Sequence, residues 1–248
     1  MKYINHFGEQ SGNYLQFRPD YPANLYEFIL SLVTERQLAW DCGTGNGQAA
    51  AILAEYFTDV IATDINEAQL AVAVKKNNIS YYAWPAEKTE IKSGSVDLIT
   101  IAQALHWFNF AAFYAEVKRV AKPKAIIAAW CYALIDIDPA INAIINKLYN
   151  DILGDHYWPK ERRYIDEEYK TIPFPFIDIP SPVFNIQKKI NFEQLIGYLN
   201  TWSAVKEYAK QNGQNPIELI YPELHKAWGM KQRQVSWPIY LKTGSVDK

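Results

Sequence analysis

At 248 residues, 49% of them apolar and with a formal net charge of −2, the chain suits one large globular domain and lacks the basic excess of proteins that wrap nucleic acid. Its two cysteines, Cys42 and Cys131, each lie in an apolar run, which argues against a disulfide framework and fits a reducing compartment. No window approaches the about 20 apolar residues of a membrane span. The stretch MKYINHFGEQ lacks a signal-type apolar core, so a soluble cytoplasmic protein with no membrane partner is expected.

Taken in chain order, the first half alternates strand and helix patterns. QLAWDC (37–42) reads as a strand and AAAILAEYF (49–57) as the helix that follows it. DVIATD (59–64) is a strand, and EAQLAVAVKKN (67–77) an amphipathic helix. ISYYAW (79–84), SVDLITI (95–101) and KAIIAAWCY (124–132) are further strands, with FNFAAFYAEVKRVA (108–121) the helix between the last two. Runs this apolar suit strands covered on both faces, and their alternation with helices implies parallel βαβ units.

The second half is less regular. Helix is predicted over 138–153, a charged, solvated insertion over 158–170, and no regular element over 171–182, where four prolines fall. FNIQKKI (184–190) alternates as a strand should, and 192–210 is helical with a break near Thr201–Ser203. Residues 216–231 read as helix around Pro222, and 234–244 as a closing strand in which Pro238 favours an edge position. The predicted fold is therefore an α/β, Rossmann-like, doubly wound sheet of seven mostly parallel strands. It carries an antiparallel edge strand and a helical substrate-side lobe. Residues 1–248 form a single domain in this reading, with 1–134 binding the cofactor and 135–248 completing the sheet and supplying the lobe.

The chemistry starts at DCGTGNG (41–47), directly after the first strand. Gly43, Gly45 and Gly47 leave the main chain bare at the end of a strand, where doubly wound folds bind ligands. A dinucleotide fingerprint, G-x-G-x-x-G, would need its last glycine one place later. Asp41 would repel a pyrophosphate and attract an ammonium or sulfonium. The pattern therefore favours a cationic ligand without phosphate, a character that S-adenosylmethionine has. Asp64 ends the second strand, where an acid accepts ribose hydroxyls, although capping the next helix is the alternative. Ile65 could lie against an adenine.

Several stretches together resemble the class I S-adenosylmethionine-dependent methyltransferases, and within them the small-molecule group that includes trans-aconitate methyltransferases. They are FRPDYP (17–22), DCGTGNG (41–47), ATDIN (62–66), WPAEKTEIKSGSVDLITIAQALHWF (84–108), VKRVAKPKAIIAAW (117–130) and YLNTWSA (198–204). The chain departs from the family at Lys124–Ala125, where a Gly-Gly pair is common, and in the 158–182 insertion. The resemblance implies S-adenosylmethionine as cofactor. Gly43 and Gly45 would lie under its methionine part, with Asp41 near the amino group. Asp64 would hold the ribose, Ile65 would pack on the adenine, and Ala86 and Glu87 would meet the adenine edge. Gln103 and Ala104 would sit near the methionine portion.

His106 is the candidate base or positioning group, and is otherwise a structural histidine at a helix start. Tyr14, Arg18, His106, Trp107, Trp202 and Ser203 are the candidate substrate residues; Arg18 suits a substrate carboxylate or the cofactor's own, and pinning its segment by a salt bridge is the alternative. The expected acceptor is a small molecule, O-methylated on a carboxylate or a hydroxyl. No metal site is expected, because the four histidines are scattered. No nucleic-acid partner is expected either, since the stretch after the fourth strand reads Gln103-Ala104-Leu105-His106 rather than N-P-P-Y. A monomer or homodimer is expected. The competing readings are an NAD(P)-dependent oxidoreductase, a nucleic-acid methyltransferase and a non-catalytic S-adenosylmethionine-binding protein.

Overall fold

The computed structural model describes residues 17–247. Two compact units emerge. One comprises Pro22–Ala133, Tyr164–Phe184 and the chain from Ile239 onward; the other comprises Leu134–Arg163 and Asn185–Pro238, with the described residues before Pro22.

The first unit is built on a sheet of order β3-β2-β1-β4-β5-β8-β6. Its strands are β1 (Leu38–Cys42), β2 (Asp59–Thr63), β3 (Ile79–Tyr82), β4 (Val96–Ala102), β5 (Ala121–Tyr132), β6 (Ile177–Ile179) and the C-terminal part of β8 (Arg233–Ser245). The first five run parallel, with Ala39 opposite Val60 on one side of β1 and Leu98 on the other. β8 is antiparallel to β5 and to β6. It therefore lies inside the sheet rather than at its edge. Pro238 falls just past Tyr132↔Ile239, the last β5–β8 pair, so its missing N–H interrupts no rung of that ladder. An eighth strand, β7 (Phe184–Ile190), pairs with β8.

β4 is buried along nearly its whole length, as a parallel strand covered on both faces must be. The core around it includes Trp40, Phe113, Val117 and Ile127, and the Trp40 indole N–H donates to Thr63 Oγ1 at 2.9 Å. The helix Phe110–Val120 is capped by Asn109, whose side chain accepts the Ala112 N–H. Strand order reverses between β1 and β4. The two segments that leave their C-terminal ends, 43–47 and 103–107, are thereby brought side by side, which is the ligand position of a doubly wound sheet.

The predicted helix over 67–77 is only Glu67–Ala71. Asn66 caps its start, but Val72 leaves the helical region and the Val74 N–H donates instead to the Asn46 carbonyl. A tertiary hydrogen bond and two β-branched residues override the helical pattern. The 49–57 helix also stops early, at Leu53.

The 158–182 region departs furthest from expectation. Ile165, Tyr169 and Ile172 are buried in the core cluster of the first unit, and Ile177–Ile179 forms β6 among the prolines. The charges flanking those apolar residues masked their spacing. Lys124, at the family's Gly-Gly position, takes φ +65. A left-handed lysine costs roughly 1–2 kcal/mol, so Lys124→Gly should gain about 1 kcal/mol of stability after the entropy of glycine is allowed for, read as a rise in the urea midpoint.

The second unit is mainly helical: Pro139–Asn146 with a π-helical continuation to Leu153, Phe192–Asn200, Ser203–Asn212 and Tyr221–Trp228. Asp138 caps the first, and Asn191 with Gln194 forms a capping box on the second. The break between Phe192–Asn200 and Ser203–Asn212 falls where expected. Pro222 sits in the first turn of Tyr221–Trp228, where its missing N–H costs nothing.

Candidate active site

Asp41 does not face outward. It is 1% exposed beneath the loop and accepts from Thr44 Oγ1 (2.5 Å), the Ala50 N–H (3.2 Å) and Thr100 Oγ1 (2.7 Å). Burial holds its carboxyl above the usual range, and those donors pull it part of the way back. The expectation that Asp41 offers its charge directly to a ligand is corrected accordingly. Its carboxylate ties the start of the Gln48–Leu53 helix to β1 and β4 and so shapes the loop.

Above it, Gly43 has φ +67, and a Cβ there would come within 2.5 Å of the Ala104 Cβ. Two small residues let the loop and the post-β4 segment touch, so Ala104 is occupied with packing the loop. Gly45 differs: it has φ +56 and open space where a side chain would project. The loop is bare at Gly45 and closed at Gly43.

Asp64 stands across the loop. Its Oδ2 accepts the Gly45 N–H and its Oδ1 the Asn66 N–H, both at 2.8 Å. The helix-capping alternative belongs to Asn66, whose side chain accepts from Ala68 and Gln69. A carboxylate offers about four acceptor positions, so the two bonds leave room for two more donors, as a vicinal diol supplies. Burial raises the Asp64 carboxyl above its ordinary value, opposed by the two N–H groups.

Ile65, next in sequence, is 47% exposed. Beside it the β3 end presents a feature that the sequence reading overlooked: Tyr82 and Trp84 stack with ring centroids 4.0 Å apart, and the Asp64 N–H donates to the Tyr82 carbonyl. Period-two spacing at a strand end was the available signal. Ala86 is buried, and Glu87 Oε1 accepts the Asn109 N–H at 2.9 Å, so Glu87 already braces a helix start.

At the end of β4, Gln103 has φ +56, its N–H donates to Trp130, and its side-chain oxygen accepts from Tyr132 N–H. Strain at such a point is typical of functional sites. His106 follows on the turn Leu105–Trp107, 5% exposed, with Nδ1 2.8 Å from the Tyr169 hydroxyl. Trp107 is half-buried, its ring 4.8 Å from that of His106.

The remaining candidates lie in the second unit or outside the described residues. Tyr14 lies outside them. Trp202 is buried among Tyr149, Trp158 and Tyr198, an aromatic core that gives it a structural role rather than the substrate contact expected of it. Ser203 is half-buried at the first turn of its helix. Arg18 donates to the Thr201 carbonyl and lies over the Tyr198 ring. Lys206, unremarked in the sequence, is its neighbour: burial first, and then the Arg18 charge, hold the ammonium below the usual lysine range.

The comparisons with known proteins agree on one family. Residues 40–129 match the methyltransferase domain model. A Dictyostelium discoideum protein, provisionally named a methyltransferase, is 37% identical over 97% of this chain and 94% of its own length. The chain belongs to the class I S-adenosylmethionine-dependent methyltransferases. A provisionally named type II methyltransferase of known structure from Anaeromyxobacter dehalogenans has a TM-score of 0.86 and 39% identity, covering 93% of this chain and 99% of its own. A Saccharomyces cerevisiae protein, provisionally named an S-adenosylmethionine-dependent methyltransferase, is 25% identical over 84% of this chain and 83% of its length.

The open space at Gly45, the spare acceptor positions of Asp64 and the exposed Ile65 are compatible in chemistry with an adenosyl group. Among the described residues no group of acids, histidines and cysteines is placed to hold a metal, and no helix is long and apolar enough to cross a membrane.

If Asp64 holds the ribose, the ribose hydroxyls would donate more strongly to the ionised carboxylate than to the neutral acid, so binding should favour loss of the Asp64 proton. S-adenosylhomocysteine affinity should rise with pH through the raised Asp64 value and level off above it. Across that transition the Asp64→Asn variant should give a flat profile and bind about 30-fold more weakly at neutral pH, by calorimetry.

Proposed function

We propose that this methyltransferase acts on a small acceptor molecule and transfers the methyl group to an oxygen, with a carboxylate-bearing compound the preferred acceptor. The feature that supports this most directly is the pair of half-buried cations in the second unit, Arg18 and Lys206, whose ammonium is held below the usual lysine range by burial first and by the Arg18 charge second. Two neighbouring half-buried cations suit an anion. The small formal charge of −2 supports a small-molecule acceptor over a nucleic acid.

Bound S-adenosylmethionine supplies a methyl group already activated on a sulfonium. Gly45 leaves the main chain open for the methionine part, Asp64 holds the ribose, and Ile65 covers the adenine. Ala86 and Glu87 border the adenine edge, while Gln103 and Ala104 border the methionine portion. Asp41 contributes by holding the loop in shape. An acceptor carboxylate is ionised at neutral pH and needs no base. With a hydroxyl acceptor, His106 is the group in the first unit suited to take the proton.

A panel of di- and tricarboxylic acids and simple phenols, assayed with radiolabelled S-adenosylmethionine, tests the proposal. Methyl esters should form on one class of carboxylic acid, and Lys206→Met should raise KM for that acid about tenfold while kcat holds. Transfer confined to phenols, or a KM indifferent to Lys206, would refute the carboxylate assignment.

A further inference from the structure

We propose that Tyr169, at the heart of the supposedly solvated insertion, is a positioning residue for His106. This rests on the methyltransferase reading of the site and assigns a residue that neither motif nor spacing marked.

Three observations carry it. First, the two side chains lie 63 positions apart in sequence yet meet in the core: Tyr169 is fully buried, His106 is 5% exposed, and the phenol oxygen lies 2.8 Å from Nδ1. A hydroxyl at Nδ1 distinguishes the two ring nitrogens and fixes the plane of the imidazole.

Second, the backbone that delivers the phenol is strained. Glu168 and Tyr169 take φ +59 and +60, two consecutive left-handed residues without a glycine, which costs roughly 1–2 kcal/mol for each. Neighbouring groups hold the turn in place. The Glu168 N–H donates to Ile165, the Tyr169 N–H donates to Tyr164 at 2.7 Å, and the Glu168 carboxylate pairs with Lys170. Strain of this kind persists where the surrounding structure over-determines it, which is characteristic of functional sites.

Third, His106 stands two residues past Ala104, the residue packed against Gly43 of the cofactor loop, and three past the left-handed Gln103. Its imidazole is therefore carried by the segment whose Ala104 side chain packs against the candidate ligand loop. An oriented ring at that place serves acceptor chemistry through tautomer and direction, and both are set from Nδ1.

Nitrogen NMR of the histidine side chains tests this on the wild type and on Tyr169→Phe, which removes one oxygen. Two probes are bound in turn: S-adenosylhomocysteine, and sinefungin, which carries an amino group where the sulfonium carries its methyl. In the wild type, His106 should show one tautomer, and exchanging the probes should move its ring nitrogens. In Tyr169→Phe the tautomer ratio should shift severalfold and the response to the exchange should change, with S-adenosylhomocysteine affinity within about twofold. A structural histidine would not respond to the exchange. Wild-type His106 averaging between tautomers, or resting unmoved when the probes are exchanged, would overturn the proposal even if the variant fails to fold. If neither probe binds the wild type, the cofactor reading fails first, a result distinct from a bound probe that leaves His106 still.

Discussion

Replacing Gly45 by leucine should abolish measurable S-adenosylhomocysteine binding while the protein stays folded. The reason is the open space at this position: nothing lies within 4 Å of a Cβ built on Gly45, so a side chain would stand where the proposed site receives its ligand. The backbone at φ +56 adds a strain of roughly 1–2 kcal/mol, a modest loss for a domain of this size. Against that, occluding the ligand should weaken binding by at least about 1,000-fold, or roughly 4 kcal/mol.

Gly43→Ala is the matched control. Its Cβ would approach the Ala104 Cβ to 2.5 Å, so even one methyl group must push the loop and the post-β4 segment apart. That variant should lose stability and binding together. Calorimetry with S-adenosylhomocysteine, paired with urea unfolding, separates the two. A Gly45→Leu protein that still binds with wild-type affinity would place the ligand elsewhere.

The second large effect concerns Asp41. Truncation to alanine should cost about 3 kcal/mol of folding stability, because it leaves the Thr44 and Thr100 hydroxyls and the Ala50 N–H without their buried acceptor. The hydroxyls can turn to other partners and soften the loss; the amide cannot. Asp41→Asn retains size and one carbonyl oxygen and should cost roughly 1 kcal/mol. It also isolates the charge. If Asp41 acts by shaping the loop, the asparagine variant should bind S-adenosylmethionine within about tenfold of wild type. A loss of more than about 100-fold, with stability kept, would restore the direct electrostatic role inferred from the sequence.

Asp41 illustrates what the residues alone could and could not say. The glycine spacing and the two acids pointed to 41–47 as the candidate cofactor loop, because bare backbone at a strand end has few other uses. Which way the Asp41 carboxylate points depends on Thr44 and Thr100, and Thr100 is 59 residues away on β4. Parallel strands were legible for a related reason: β1, β4 and β5 bury both faces and so read as continuous apolar runs.

Tyr169 was hidden by the opposite circumstance. It sits in a segment rich in Lys, Arg and Glu, where a buried tyrosine on a left-handed backbone has no periodicity to betray it. The 67–77 pattern misled because helical spacing was present but the Asn46 carbonyl competed for the chain. Lys206 went unseen because a lone lysine on a helix face usually means solvent, and its significance comes from Arg18, distant in sequence.

The central claim is that the methyl donor rests on the main chain at Gly45 with its ribose on Asp64. A crystal structure of the protein grown with S-adenosylhomocysteine tests it most directly. The account predicts both ribose hydroxyls within hydrogen-bonding distance of the Asp64 carboxylate and the methionine part over Gly45. Ligand density away from this loop, or an Asp64 carboxylate that contacts only Gly45 and Asn66 while the ligand is bound elsewhere, would contradict it.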